Sequence, residues 1–318
     1  MQTTLIYNPQ AGIGPHPGPN EIIEALRQVG HEPVYRPTST ESDLDQALAE
    51  ARELVVVAGG DGSIRAVAIR ILGRDIRITP LPLGTANNIA RMLGLTGKPL
   101  EIIAGLSDPV RRNLDIGRML MPQGPGYFLE AMGVGIFADV LKRYRPETGK
   151  SIPRGIRTLL DTLKDYQPKF IHVNLDGEDL SGSYLLVEVM NTPTVGLRFM
   201  LAPDAIPDDG LFDLVLIHAN QRENYLEYLA GVLLGKLDLS PAVSIQRGRH
   251  LEIAWRGFPF HLDAEVFAGL DGREEKGDSD DAYAANSLDV AGPYLQVELE
   301  QQAIHFLLPK VHQEPVDG

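Results

Sequence analysis

The chain has no cysteine in its 318 residues, which excludes a disulfide framework, a thiolate metal site and a cysteine nucleophile. It is also short of basic charge. Twenty-nine Lys and Arg stand against 43 Asp and Glu, leaving net charge −14. That balance argues against nucleic acid as a partner and against strong attraction to an anionic bilayer. Long apolar runs are missing, and Met1-Gln2-Thr3-Thr4 leads straight into a strand pattern with no basic stretch before it. Neither a signal peptide nor a spanning helix is therefore expected, and the expected location is cytoplasmic. The length suggests about two domains.

What is present begins with Val55-Val56-Val57-Ala58-Gly59-Gly60-Asp61-Gly62-Ser63. An unbroken Val run reads as a parallel strand covered on both faces. The glycines let the backbone turn sharply and approach a ligand closely. Ser63 is a candidate cap for a helix starting at Ile64, whose N-terminus suits a phosphate. Asp61 beside a phosphate calls for a divalent cation or a proton transfer. A second loop of this kind runs Pro80-Leu81-Pro82-Leu83-Gly84-Thr85-Ala86-Asn87-Asn88, with Thr85 a candidate cap and the Asn87 and Asn88 amides placed to reach a nucleotide. A third opens the chain at Leu5-Ile6-Tyr7-Asn8-Pro9-Gln10-Ala11-Gly12. Three strand ends of this composition match the rule for ligand sites in open α/β sheets. Each alone also reads as an ordinary turn.

Up to about residue 112, strands and helices alternate: strands 5–7, 33–35, 54–58 and 76–80, helices 21–28, 42–52, 64–72 and 86–93. That pattern predicts a mostly parallel, three-layer α/β domain. Beyond Arg112 the texture is β-rich, with strands at 169–175, 183–190, 212–217, 251–255 and 260–262. Asp176-Gly177 reads as a hairpin turn, and helices are expected at 152–166 and 222–234. The acidic, Gly- and Ser-rich stretch 271–289 reads as a loop. Lys142, Arg143, Arg145, Lys150, Arg154 and Arg157 cluster around a single acid, Glu147. Two readings stay open for this cluster: a solvated loop, or a surface for lipid headgroups or ATP phosphates.

Asn8-Pro9-x-x-Gly12, Gly59-Gly60-Asp61-Gly62-Ser63 and Pro82-x-Gly84-Thr85-x-Asn87 resemble the diacylglycerol kinase catalytic domain family. The likeness continues through Ala202-Pro203-x-Ala205-x-x-Asp208-Asp209-Gly210-Leu211-Phe212-Asp213 and His261-Leu262-Asp263-Ala264-Glu265. The resemblance implies an α/β nucleotide-binding domain, 1–112 with a returning segment 292–310, and a β-sandwich substrate domain, 113–291. It implies ATP and Mg2+ as cofactors. The nucleotide would be held by Asn8, Pro9, Gly12, Thr38, Gly59, Gly60, Asp61, Gly62, Ser63, Gly84, Thr85 and Asn87. A structural metal would be held by Asp209 with the carbonyls of Ile206 and Leu211.

Asp263 and Glu265, two apart on an apparent strand, should share a face. The family's use of this pair implies Glu265 as general base and Asp263 as its support. The acceptor would be a diacylglycerol-like or long-chain-base lipid met at a membrane surface by a peripheral enzyme; a homodimer is compatible. Departures are Ser63 for Thr, Ala66 for Glu, Asn88 for Asp and Ala264 for Gly. They leave room for a catalytically reduced lipid- or nucleotide-binding protein. The Gly-Gly-Asp-Gly element, shared with NAD kinases, leaves a small-molecule kinase as the other alternative.

Overall fold

In the computed structural model, which describes residues 1–12, 15–38, 40–121, 124–144, 151–219, 243–255, 257–267 and 294–310, the chain divides into two units. The first is Met1–Ile116 with Gln301–Gly318, and the second is Gly117–Glu300.

The first unit alternates β1 (Gln2–Tyr7), α1 (Pro19–Gln28), β2 (Glu32–Tyr35), α2 (Glu41–Glu50), β3 (Leu54–Gly59), α3 (Asp61–Arg70), β4 (Arg77–Pro82), α4 (Asn88–Met92) and α5 (Pro99–Ala104). The strands pair in parallel in the order β2-β1-β3-β4, and His305 and Phe306 of the chain's last strand extend the sheet beyond β4. β3 is buried along its whole length, as its valines require of a strand covered on both faces. Helix starts follow local chemistry. Pro19 opens α1 and Glu21 Oε2 accepts the Gly18 N–H at 2.8 Å, while Thr40 and Asp43 cap each other's backbone at α2.

Two expected caps are corrected. Ser63 lies inside α3, which starts two residues earlier from Gly60, and α4 starts from Asn87 rather than Thr85. In both loops the turn geometry at Gly60 and Asn87 decides the start, not the hydroxyl.

The second unit carries β5 (Pro109–Met121, entering from the first unit), β6 (Gly124–Phe128), β7 (Ala131–Gly135), α6 (Ile136–Tyr144) and α7 (Ile152–Asp165). Then come β8 (Lys169–Ile171), β9 (Val173–Leu175), β10 (Glu178–Asp179), β11 (Gly182–Met190), β12 (Thr194–Val195) and β13 (Phe199–Met200). The described strands end with β14 (Phe212–His218), β15 (Val243–Gly248), β16 (His250–Ala254), β17 (Phe260–Leu262), β18 (Glu265–Phe267) and β19 (Tyr294–Pro309). One sheet runs β15-β14-β11-β7-β17-β18, with β8 also on β11; the facing strands run β10-β9-β16 and on to the first half of β19.

Between the two sheets lies a core including Phe128, Val187, Val189, Phe212, Leu214, Leu216, Ile253 and Phe260. Strand alternation then sends Val215 and Ile217 to the opposite face, where Phe137, Val140 and Leu159 of α6 and α7 cover them. This is a β-sandwich with helices on its outer face.

The expected strand 169–175 is two strands, because the chain leaves one sheet after Ile171 and joins the other at Val173. The expected returning segment 292–310 is the single strand β19, and the division between units falls within it. Asp176-Gly177, both at positive φ, closes the β9–β10 hairpin. The predicted helix 222–234 and loop 271–289 lie outside the described residues.

Candidate active site

In the first unit the three loops meet at the carboxyl ends of adjacent strands. Asn8 donates its backbone N–H to Ala58 and its side-chain amide to Ser63 Oγ at 3.2 Å, tying the β1 loop to the start of α3. Gly12, at φ 71°, lies so close to Leu83 that a Cβ would stand 1.9 Å from that carbonyl. Gly60 and Gly84 touch backbone to backbone, since a Cβ on Gly84 would lie 2.6 Å from Gly60 Cα. The Asp61 carboxylate accepts the Ile89 N–H at 3.0 Å, spanning from α3 to α4. Pro9 sits in the exposed turn after Asn8, and Gly59 ends β3 directly under Ser63, whose Oγ would be 2.5 Å from a Cβ there. Thr85 is half-buried between Gly84 and α4. Thr38 lies after β2, one strand further out than the three loops.

Two expectations change. The Asn87 side chain is not directed at a ligand: it folds back so that Oδ1 accepts from Gly84 N and Nδ2 donates to Gly84 O, each at 2.8 Å. Its own φ of 52° is the left-handed conformation that Asn tolerates better than most residues. Asp61 is in part a cap for α4 rather than solely a charge awaiting a cation. What remains open to a ligand is Gly62, exposed in the first turn of α3, where a Cβ would meet nothing within 4 Å. Here the positive end of α3 favours an anion such as a phosphate.

In the second unit, Asp263 and Glu265 do not share a strand. Asp263 and Ala264 form the turn of the β17–β18 hairpin, in which Leu262 pairs with Glu265. The positive φ falls on Asp263, at 52°, and not on Ala264, so the missing glycine costs little. Asp263 is 8% exposed, and its Oδ1 accepts from Glu130 N at 2.7 Å and Ala131 N at 3.1 Å, its Oδ2 from Leu129 N at 3.0 Å. A carboxylate committed to three backbone donors holds the 129–131 segment, a role that the sequence did not signal. Glu265 is exposed at the start of β18.

The predicted metal loop is also differently arranged. Asp209 Oδ1 accepts the Leu211 N–H at 3.0 Å, and Oδ2 pairs with the Arg247 guanidinium. Arg247 also lies 3.8 Å from Asp213. Among the described residues no group of three or more His, Cys, Asp or Glu could hold a metal ion. In this arrangement Asp209 is turned to the Arg247 guanidinium and the Leu211 N–H, so a metal held with the carbonyls of Ile206 and Leu211 would have to displace that pair. The sequence reading missed Arg247. It also missed a buried pair, Glu188 and His261, although a lone charge within Leu185-Leu186-Val187-Glu188-Val189-Met190 is itself the signal that a buried partner must exist.

Within the basic cluster, Lys142 and Arg143 lie on α6, while Arg154 stacks 4.4 Å from the Tyr144 ring and Arg157 lies 3.7 Å from Asp161. Arg145 and Lys150 lie outside the described residues. Among the described residues no helix is long and apolar enough to cross a membrane.

The glycine loops stand at the strand ends of a parallel sheet, in a chain that also carries a β-sandwich unit, and the comparisons with known proteins give that architecture its class, the kinases. The diacylglycerol kinase catalytic domain matches residues 2–119, and the YegS C-terminal NAD kinase beta sandwich-like domain matches 155–279. A diacylglycerol kinase of Bacillus subtilis (strain 168) is 29% identical over 248 residues, 71% of this chain and 75% of that protein. A probable lipid kinase YegS-like of Pseudomonas savastanoi pv. phaseolicola is 31% identical over 238 residues, covering 72% and 75% of the two chains. The crystal structure of a diacylglycerol kinase from Bacillus anthracis str. Sterne superposes with TM-score 0.65 at 15% identity, over 96% of each chain, a likeness of fold. The chain belongs to the diacylglycerol kinase and YegS-like lipid kinase family.

Proposed function

We propose that this protein is an ATP-dependent lipid kinase that transfers the γ-phosphate of magnesium-bound ATP to a hydroxyl of a diacylglycerol-like or long-chain-base lipid. The observation that carries the reading is the meeting of the Asn8–Gly12, Gly59–Ser63 and Gly84–Asn87 loops at neighbouring strand ends. Phosphoryl transfer asks the protein chiefly to position the phosphates and neutralise charge. Backbone N–H groups and the α3 dipole serve that role, with Gly62 leaving room for the phosphate chain. The acceptor oxygen attacks the γ-phosphorus, the bond to the β-phosphate oxygen breaks, and ADP leaves. The exposed Glu265 carboxylate takes the hydroxyl proton. The lipid is met at a membrane surface, the protein acting as a peripheral enzyme.

The test is a panel of acceptors, lipids in mixed micelles and NAD, with γ-labelled ATP and Mg2+. Label in a diacylglycerol or long-chain base supports the reading. Label only in NAD would replace it with a small-molecule kinase. Nucleotide binding by calorimetry with no labelled lipid would replace it with a binding protein, the outcome that Ala66 and Asn88 favour.

A further inference from the structure

Glu188 of β11, Gly133 of β7 and His261 of β17 stand in one row across the sheet, Glu188 opposite Gly133 and Gly133 opposite His261. Their neighbours Val187, Val189, Phe260 and Leu262 enter the sandwich core, so by alternation Glu188 and His261 project to the helix-covered face. Gly133 is what lets them meet over the middle strand. A Cβ there would lie 1.9 Å from Glu188 Oε2 and 3.0 Å from His261 Nε2. His261 Nε2 lies 2.9 Å from Glu188 Oε1, with both side chains wholly buried. The Phe137 ring of α6 closes over the imidazole at 5.1 Å, edge to face.

The second ring nitrogen, Nδ1, is 2.9 Å from the Asp263 carbonyl. The carbonyl can only accept, so Nδ1 donates to it; with Glu188 ionised Nε2 donates as well, and the ring is then an imidazolium. Burial works against that charge. The charge and hydrogen bond of Glu188, with the Asp263 carbonyl and carboxylate, outweigh it and raise the His261 pKa.

We propose that Glu188 and His261, meeting over Gly133, are positioning residues for the phosphoryl transfer: they clamp the Asp263 turn and so fix the direction in which Glu265 leaves it. The inference rests on the kinase reading above. The turn is held from both ends, its carboxylate by Leu129, Glu130 and Ala131 and its carbonyl by the imidazolium. Glu265 follows two residues later on a three-residue strand. A pair serving stability alone would be replaceable by apolar residues of similar size, often without loss.

The test is the double variant Glu188→Met/His261→Leu beside the single variant Glu188→Gln. In the wild type, NMR should detect two slowly exchanging ring N–H protons of His261 at pH 7–8. The double variant should fold, keep its KM for ATP and lose about 10²-fold in kcat, the scale of a misplacement of about 1 Å. Hydrogen exchange at the Asp263 N–H, bonded to the Ala131 carbonyl in the wild type, should quicken at least about tenfold while the β11–β14 ladder stays protected. In Glu188→Gln the imidazole loses the charge that raises its pKa, so it should titrate lower than in the wild type, and kcat should fall as pH rises through that lower range. Groups facing the ring are Glu188, the Asp263 turn and Phe137, so Asp263 is the other ionisable neighbour. A single ring proton in the wild type, or a double variant with unchanged kcat or unchanged exchange at Asp263, overturns the proposal. If the wild type phosphorylates no lipid, the kinase reading fails, while the ring protons and the exchange still decide whether the clamp exists.

Discussion

In the first unit Gly60 and Gly84 approach until Gly84 has no room for a methyl group and Gly60 little, whereas in the second unit Glu188, His261 and Asp263 fill interior space with charge. The first arrangement is made of backbone. It needs particular residues because only glycine omits the Cβ, and it leaves Gly62 open. The second is made of side chains whose worth depends on partners far away in sequence: Glu188 is 73 residues from His261, and Asp263 is 132 from Ala131. A site of backbone tolerates no added atom, while a site of buried charge tolerates no missing partner.

The sharpest way to break this contrast is to compare the two carboxylates of the hairpin. Asp263→Asn puts an amide N–H against backbone donors and should cost about 3 kcal/mol or more, the sum of lost charge-assisted bonds, read as a lower denaturation midpoint. Glu265→Gln, at an exposed position, should stay within about 0.5 kcal/mol of wild-type stability while kcat falls by about 10²–10⁴-fold. Equal stability for both variants would mean Asp263 is not a structural anchor.

The glycines sharpen the other side. Gly84→Ala should destabilise by about 1–3 kcal/mol, because its methyl would press on the Gly60 backbone. At Gly62 a Cβ would meet nothing within 4 Å, so Gly62→Val should melt near the wild type, yet weaken ATP binding at least about tenfold by calorimetry. Gly60→Val is the poorer probe, since its Cβ would lie 3.1 Å from Gly84 Cα and disturb the loops themselves. Unchanged ATP affinity in the folded Gly62 variant would remove the start of α3 from the nucleotide site.

A smaller effect is expected at Asp209→Ala. Loss of a part-exposed pair with Arg247 should lower stability by about 1 kcal/mol or less, and Mg2+ should not change the difference. A Mg2+-dependent rise in the wild-type melting point that this variant lacks would restore a metal to the loop.

The smallest effect separates two histidines. His31, bonded to Thr3 Oγ1 at 2.9 Å, has its pKa lowered by burial first and by the N-terminal charge, against the raising influence of Glu53. Its contribution to stability is present above the ordinary histidine value and lost as pH falls through the lower folded value. His261 is raised, so its contribution is present below the ordinary value and lost as pH rises through the folded one. His31→Gln should therefore flatten the acid side of the stability profile, and Glu188→Gln the alkaline side. Matching profiles for both variants would erase the contrast.

These differences account for what could be read in advance. The Val55–Val57 run and the glycine turns are local patterns, and they foretold the parallel sheet and the three loops; the β-rich texture after Arg112 was local too, but the sandwich was implied only by the family resemblance. The cap positions at Ser63 and Thr85 were misread because the decisive contacts, Gly60 on Gly84 and Asn87 on Gly84, join loops rather than neighbours. The shared face of Asp263 and Glu265 was misread because a two-residue turn and a short strand have the same spacing. Arg247 carried no signal, since an arginine on a strand is ordinary until its carboxylate partners are placed.

The contact between Gly60 and Gly84 has a consequence for how such a chain can change over generations. Each residue's forbidden volume is the other's main chain, so relief cannot come from a compensating change of side chain at the partner, which has none to shrink. A variant gaining an alanine at one position could recover only by moving a loop, and moving that loop would shift Asp61 relative to the Ile89 N–H it caps. Substitutions at 60, 61, 84 and 87 should therefore interact strongly in combination, and the permitted routes through them should be few, while Gly62, bordered by nothing, is free to vary wherever nucleotide binding is not under selection.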